Sequence, residues 1–174
     1  MLVVFALLTI FLYNGLIQLV NTCNKAWANM EVLLKQRSNE IPNLISCVKG
    51  YMKHEKETLE LLTKARSMIL QDQSLTRKAA VDDVMTHLLK TLFAVAEDYP
   101  ELKANENFLH LQQRLTGLEN ELSDRREFFN DAVMIYNTRI QSFPDLLIAK
   151  VFHFNPKTYF KATKEDKQYI KVNL

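Results

Sequence analysis

Apolar residues recur at spacings of three and four along most of this chain. One series runs Leu16, Val20, Cys23, Trp27, Met30 and Leu34, is interrupted by Arg37, and closes at Ile41. A second runs Ile45, Val48, Met52, Leu59, Leu62 and Ile69, with Glu55 and Arg66 standing in the same register. The third is Val81, Met85, Leu88, Leu92, Val95 and Tyr99. The fourth and longest is Phe108, Leu111, Leu115, Leu118 and Leu122, then, one position out of step, Arg126, Phe129, Val133, Tyr136 and Ile140. Each series lays one apolar stripe along a helix, and a sustained 3-4 alternation is the seam of helices packed at shallow angles. Four stripes predict an all-α, up-and-down four-helix bundle over residues 13–160.

The breaks fall where bundle loops belong. Pro42 follows "SNE" and suits the first turn of a second helix, where its missing N–H costs nothing; the alternative is a kink within one long helix. "QDQSLTRK" separates the second and third stripes. "EDYPELKANEN" separates the third and fourth, with Pro100 barring continuation. A last turn begins at Pro144, and the polar, lysine-rich segment 161–174 reads as a frayed tail.

Residues 1–20 differ in kind. "MLVVFALLTIFLYNGLIQLVNTCN" carries no charged side chain, and the first is Lys25. Crossing the hydrocarbon core takes ~20 residues, so Leu2 to Val20 is just long enough for a single-pass membrane anchor. A cleaved signal peptide fits poorly, because no basic stretch precedes the apolar run and no small-x-small site follows. A buried core helix is the alternative. The first stripe starts at Leu16 without a gap, so the anchor and the first bundle helix are expected to be one continuous rod. The apolar run looks clipped at its front, which places the expected true start upstream of Met1.

Composition supports this picture and narrows the chemistry. Only 3 Gly and 4 Pro occur in 174 residues, so turns are few and elements long. Glycine-rich phosphate loops are excluded with them. With 22 basic against 20 acidic residues, the net charge of +2 does not suit nucleic-acid binding. Cys23 and Cys47 form no C-x-x-C pair and read as small buried hydrophobes.

No catalytic, cofactor or metal site emerges. "HEKET" lacks the second histidine of a zincin, since position 58 is Thr. The residues three before His54, His87, His110 and His153 are Tyr51, Val84, Asn107 and Lys150, so no Glu-x-x-His iron motif exists. The histidines therefore read as solvated. Ser46-Cys47 has no elbow glycines. What remains are the charges that interrupt the stripes: Arg37, Glu55, Arg66 and Arg126. A lone buried charge costs several kcal/mol, so each must pair or reach water. They are expected to form a buried polar network that fixes helix register. The rival readings are an enzyme site, or a small-ligand sensor, built on Glu55, Arg66 and Arg126.

Three stretches carry a resemblance: "YNGLIQLVNTCNKAWANMEVLLKQRSNEIPNLISCVKGYMKHEKETLE" (13–60), "AVAEDYPELKANENFLHLQ" (94–112) and "RREFFNDAVMIYNTRIQSFP" (125–144). In Ile41-Pro42-Asn43-Leu44, Tyr99-Pro100, Leu102-Lys103-Ala104-Asn105, Tyr136-Asn137 and Phe143-Pro144, the chain resembles the LemA family of bacterial membrane-anchored proteins. The resemblance implies an N-terminal membrane helix followed by a helical bundle, no catalytic activity, and links to envelope maintenance, membrane remodelling and magnetosome formation. Three features depart from the family pattern: Phe129 replaces a usual Tyr, Glu40 replaces an apolar residue, and the segment before Tyr13 is short.

The expected partners are the lipid bilayer, through the N-terminal helix, and unidentified envelope proteins, with no nucleic acid. Lys25, Lys35 and Arg37 follow the anchor and no positive charge precedes it, which leans the bundle toward the cytoplasmic side. The function expected is that of a non-enzymatic, membrane-anchored scaffold or interaction protein of the cell envelope.

Overall fold

The first helix, α1, runs unbroken over Leu2–Val48 in a computed structural model of the chain. The structure describes residues 1–162 apart from 53 and 73, together with 164, 167, 168 and 170. Five further helices follow among these residues: α2 (Lys56–Gln71), α3 (Leu75–Ala96), α4 (Pro100–Lys103), α5 (Glu106–Gln141) and α6 (Asp145–Val151). The fold is an all-α bundle of six helices, and the expected four-helix bundle is corrected accordingly.

The first boundary moves and the helix count rises, each for its own physical cause. Pro42 neither starts a helix nor ends one; it sits inside α1. The buried row Met30, Leu34, Arg37, Ile41, Leu44 and Val48 passes it without a change of step, while the Pro42 ring lies on the exposed face. The first real break is the turn after Val48, whose carbonyl accepts from both Tyr51 and Met52 backbone N–H groups. The second cause is length. Helices of four and seven residues, α4 and α6, are too short to show a periodic stripe. Each starts at or just after a proline, Pro100 at the first turn of α4 and Pro144 at the N-cap of α6.

The other boundaries follow local chemistry. Ser74 caps α3, its hydroxyl accepting from the Arg77 N–H at 3.4 Å. The Asp72 carboxylate holds the Ser74 N–H at 2.8 Å. The loop between α2 and α3 is therefore shorter than the polar run "QDQSLTRK" suggests. Asn105 holds the start of α5, its side-chain oxygen accepting from the Phe108 N–H at 3.1 Å.

The chain divides into two units, one of Met1–Met30 with Asp124–Tyr159, the other of Glu31–Ser123 with the residues from Phe160 on. In the first, Cys23, Ala26, Phe129, Val133, Tyr136 and Ile140 form the core, and the Trp27 and Phe129 rings meet at 5.8 Å. Phe129, which departs from the family's usual Tyr, is thus an aromatic packing residue. In the second, Leu34, Ile41, Leu62, Met85, Leu92, Leu102 and Leu115 are buried. Here Glu40, which departs from the family's usual apolar residue, pairs with Arg114, whose Nε lies 2.7 Å from its carboxylate. Much of the expected tail at 161–174 lies outside the described residues.

Candidate functional site

Arg37 is the largest polar side chain in the interior, and it is fully buried. Its position in the buried row of α1 carries the guanidinium toward α3 and α5. One arm donates to the carboxylate of Asp82, which is also fully buried. The other donates to Glu119 Oε2 at 2.5 Å and to Thr86 Oγ1 at 3.1 Å. Thr86 in turn donates to Glu119 Oε1 at 2.8 Å, which closes the network. Asp82 and Thr86 stand one helical turn apart on α3, so both face the same guanidinium. Formally the group carries one positive and two negative charges. Its outer member, Glu119, keeps 27% of its side chain exposed. A cleft of about 310 Å³ opens there, lined by Thr86, Lys90, Phe93, Leu115 and Glu119 among others.

Arg66 completes a different bond. Its Nε donates to the Ser38 main-chain carbonyl at 2.9 Å. In an α-helix that carbonyl would accept from residue 42, which here is proline and has no N–H. Glu55 sits at the N-cap of α2, partly exposed, with no side-chain capping bond. Arg126 belongs to the first unit, whereas Arg37, Glu55 and Arg66 belong to the second. Of the four charges read from the stripes, Arg37 and Arg66 thus reach adjoining positions of α1. Asp82, Thr86 and Glu119 were missed. Asp82 stands one step beside Val81, within a buried face wider than the single row followed in sequence. An acidic residue and a hydroxyl spaced i, i+4 beside a stripe were the available signal.

The histidines and thiols offer less chemistry. His54, His87, His110 and His153 are all exposed. Among the described residues no group of three or more His, Cys, Asp or Glu could hold a metal ion. Cys23 is buried and Cys47 partly so. Burial pushes the Cys23 thiol up, partly offset by the nearby Lys157 charge, and burial raises Cys47 as well.

The first unit holds a second ordered polar cluster. Tyr136 donates to the Asn155 carbonyl at 2.9 Å. Asn137 clamps Lys157 on both sides, donating to its carbonyl at 2.9 Å and accepting from its N–H at 2.8 Å. Lys157 Nζ reaches Asn24 Oδ1 at 3.1 Å and lies over the Tyr136 ring. The Tyr136-Asn137 pair thereby pins the extended segment after α6 to α5.

The front of α1 has the opposite character. Val3, Val4, Phe5, Leu7, Leu8, Ile10 and Phe11 are all exposed, and burial begins at Leu12 and Leu16. Among the described residues α1 is the one helix long and apolar enough to cross a membrane. Only 11% of its most apolar stretch is buried.

A model of the LemA family matches residues 26–174. The chain belongs to the LemA family. It is a membrane-associated helical protein of that family. Among its relatives, the magnetosome protein MamQ of Magnetospirillum gryphiswaldense is 22% identical over 91% of this chain and 68% of its own length. The MamQ 2 protein of Paramagnetospirillum magneticum is 32% identical over 42% of this chain, which corresponds to 27% of that protein. Protein LemA of Metamycoplasma hominis is 23% identical over 87% of the chain and 69% of its own length.

Proposed function

We propose that this LemA-family chain is a single-pass, membrane-tethered scaffold of the bacterial cell envelope, whose helices contact other proteins and help shape membrane-associated assemblies. The observation that carries the reading is the two-sided character of α1. Its front is a sleeve of exposed apolar side chains, and the same unbroken helix continues into the buried seam that includes Arg37. A water-soluble chain has no reason to expose such a row, whereas a bilayer removes its cost. The likeness to MamQ magnetosome proteins supports a role in membrane-associated assembly. The positive charges after the apolar run favour a cytoplasmic bundle.

In this reading Arg37, Asp82, Thr86 and Glu119 act in architecture: the ion network fixes which faces of α1, α3 and α5 meet. Register-setting is the best-supported use of buried ion pairs. Arg66 serves the same end at Pro42. The test is in-membrane cross-linking of the intact chain from exposed positions on α2, such as Glu57, and on α5, such as Glu121. Capture of a discrete envelope protein supports the scaffold. Protease protection of the helices in inside-out vesicles argues against the cytoplasmic side. Saturable turnover by the purified chain, lost on substitution of Glu55, Arg66 or Arg126, overturns the scaffold in favour of an enzyme.

A further inference from the structure

A second apolar surface lies beside the exposed front of α1, within the first unit. On α6, Asp145 and Ala149 point inward, and Leu147 and Val151 point outward from the opposite side of the helix. Phe143, just before the helix, is 81% exposed, and Phe152, just after it, is also exposed. These four exposed side chains, with the exposed Lys150 beside them, give α6 and its flanks an apolar face edged by one cation.

Its place on α1 is fixed by rings. Tyr13 packs against Phe152 at 4.9 Å and against Phe154 at 5.8 Å. Two residues further on, Arg139 approaches Gly15 to 3.9 Å of where a Cβ would stand. Tyr13 is two residues beyond Phe11, the last of the exposed apolar row, an axial rise of about 3 Å. Covering Val3–Phe11 with hydrocarbon therefore brings the α6 face to the headgroup boundary. Tyrosine at that level is itself typical of the membrane–water interface.

From this continuity we infer that α6 and its flanks form an interfacial membrane-contact site, with Phe143, Leu147, Val151 and Phe152 inserted at the level of the lipid headgroups beside the lipid-embedded front of α1. The occupant is the bilayer surface. An amphipathic face of this kind enters about 5–10 Å into the headgroup and acyl boundary. The contact would fix the angle at which α1 leaves the membrane, because α6 is held to α1 through Tyr13 and followed by the segment that Asn137 pins. The inference rests on the anchor reading and goes beyond it.

The experiment places an environment-sensitive fluorophore on the full chain in phosphatidylethanolamine–phosphatidylglycerol vesicles carrying nitroxide-labelled lipid. Single labels enter at Leu147→Cys or Val151→Cys, both exposed, in a Cys47→Ser background that leaves the buried Cys23 unlabelled. Leu8→Cys reports the anchor, and Glu57→Cys on α2 reports bulk water. The expected result is blue-shifted emission at 147 and 151, with quenching by a shallow nitroxide severalfold stronger than at 57. Strong quenching at 8 with none at 147 and 151 overturns the inference and leaves the anchor standing. No quenching at 8 overturns both. Shielding at 147 and 151 that grows with protein concentration, without lipid quenching, assigns the face to a second copy and also overturns the inference.

Discussion

Arg66 on α2 donates its Nε–H to the Ser38 carbonyl of α1, the one carbonyl that Pro42 deprives of its helical donor. A proline inside a helix normally costs about 3 kcal/mol or more, through the lost bond and the clash with the preceding turn. Here the ring faces outward and a neighbouring helix supplies the missing donor. The apolar row of α1 therefore continues to Val48 in register.

This relationship predicts a coupled pair of variants. Arg66→Met leaves the Ser38 carbonyl without a partner and should lower stability by about 1–3 kcal/mol. In a Pro42→Ala background the restored N–H bonds that carbonyl, and the same substitution should cost clearly less. Urea unfolding of the four proteins in a double-mutant cycle measures the difference. Equal losses in both backgrounds would refute the link.

Arg37 is the more severe case. Arg37→Met removes the guanidinium that pairs with the fully buried Asp82, and breaking a buried ion pair from one side costs about 3–5 kcal/mol. Adding Asp82→Leu should recover part of that loss, because an apolar replacement of the whole pair is often tolerated. Thr86→Val, which removes one bridging hydroxyl, should cost about 1–2 kcal/mol. Thermal and urea melts rank the three.

Asn137→Ala should free the segment around Lys157. Two hydrogen bonds to the Lys157 backbone vanish together, so hydrogen exchange at 155–159 should accelerate while the exchange of α3 stays unchanged. Acceleration spread evenly over both units would mean that Asn137 supports the fold globally.

Cys23 provides a pH signature. Its thiol is raised by burial, so the folded protein holds the proton where the unfolded chain has released it. The sign follows: its contribution is fully present below the ordinary thiol range and is lost as pH rises through the raised value, above about pH 9. Melting temperature should fall in that alkaline window, and Cys23→Ala should flatten part of the fall. Tyr136, also raised by burial and by the neighbouring Cys23 thiol, contributes in the same direction. At neutral pH, alkylation of Cys23 should require unfolding.

Much of this architecture is legible in the sequence because one period dominates it. Met30, Leu34, Ile41, Met85, Leu92, Leu115, Leu122, Val133 and Ile140 all fall on the expected stripes and all are buried. The continuity of the apolar front with the first helix is legible for the same reason: no turn residue intervenes that a helix cannot absorb. The helix count was not. The two added helices, α4 and α6, are too short to carry a stripe; Pro42 suited either a helix start or a position within one long helix, and the long-range donor Arg66 shows why it lies inside α1.

The polar site was half legible. Arg37 interrupts a stripe and so announces itself. Its carboxylate partners do not, since Asp82 and Glu119 stand beside apolar rows rather than in them. Glu55, by contrast, falls in register yet ends at a helix cap, because the stripe was carried through a turn that the chain makes after Val48. Periodicity alone cannot distinguish a residue in a helix from one in the loop that continues its count.

The central claim is that the exposed apolar front of α1 holds the chain in a bilayer. Flotation of the full-length protein with lipid vesicles on a density gradient tests it most directly, alongside a variant carrying Leu7→Lys and Leu8→Asp. The account predicts that the parent rises with the lipid under high salt and alkaline carbonate, and that the charged variant stays folded but remains at the bottom. A parent protein that remains at the bottom, helical and monodisperse, would contradict it.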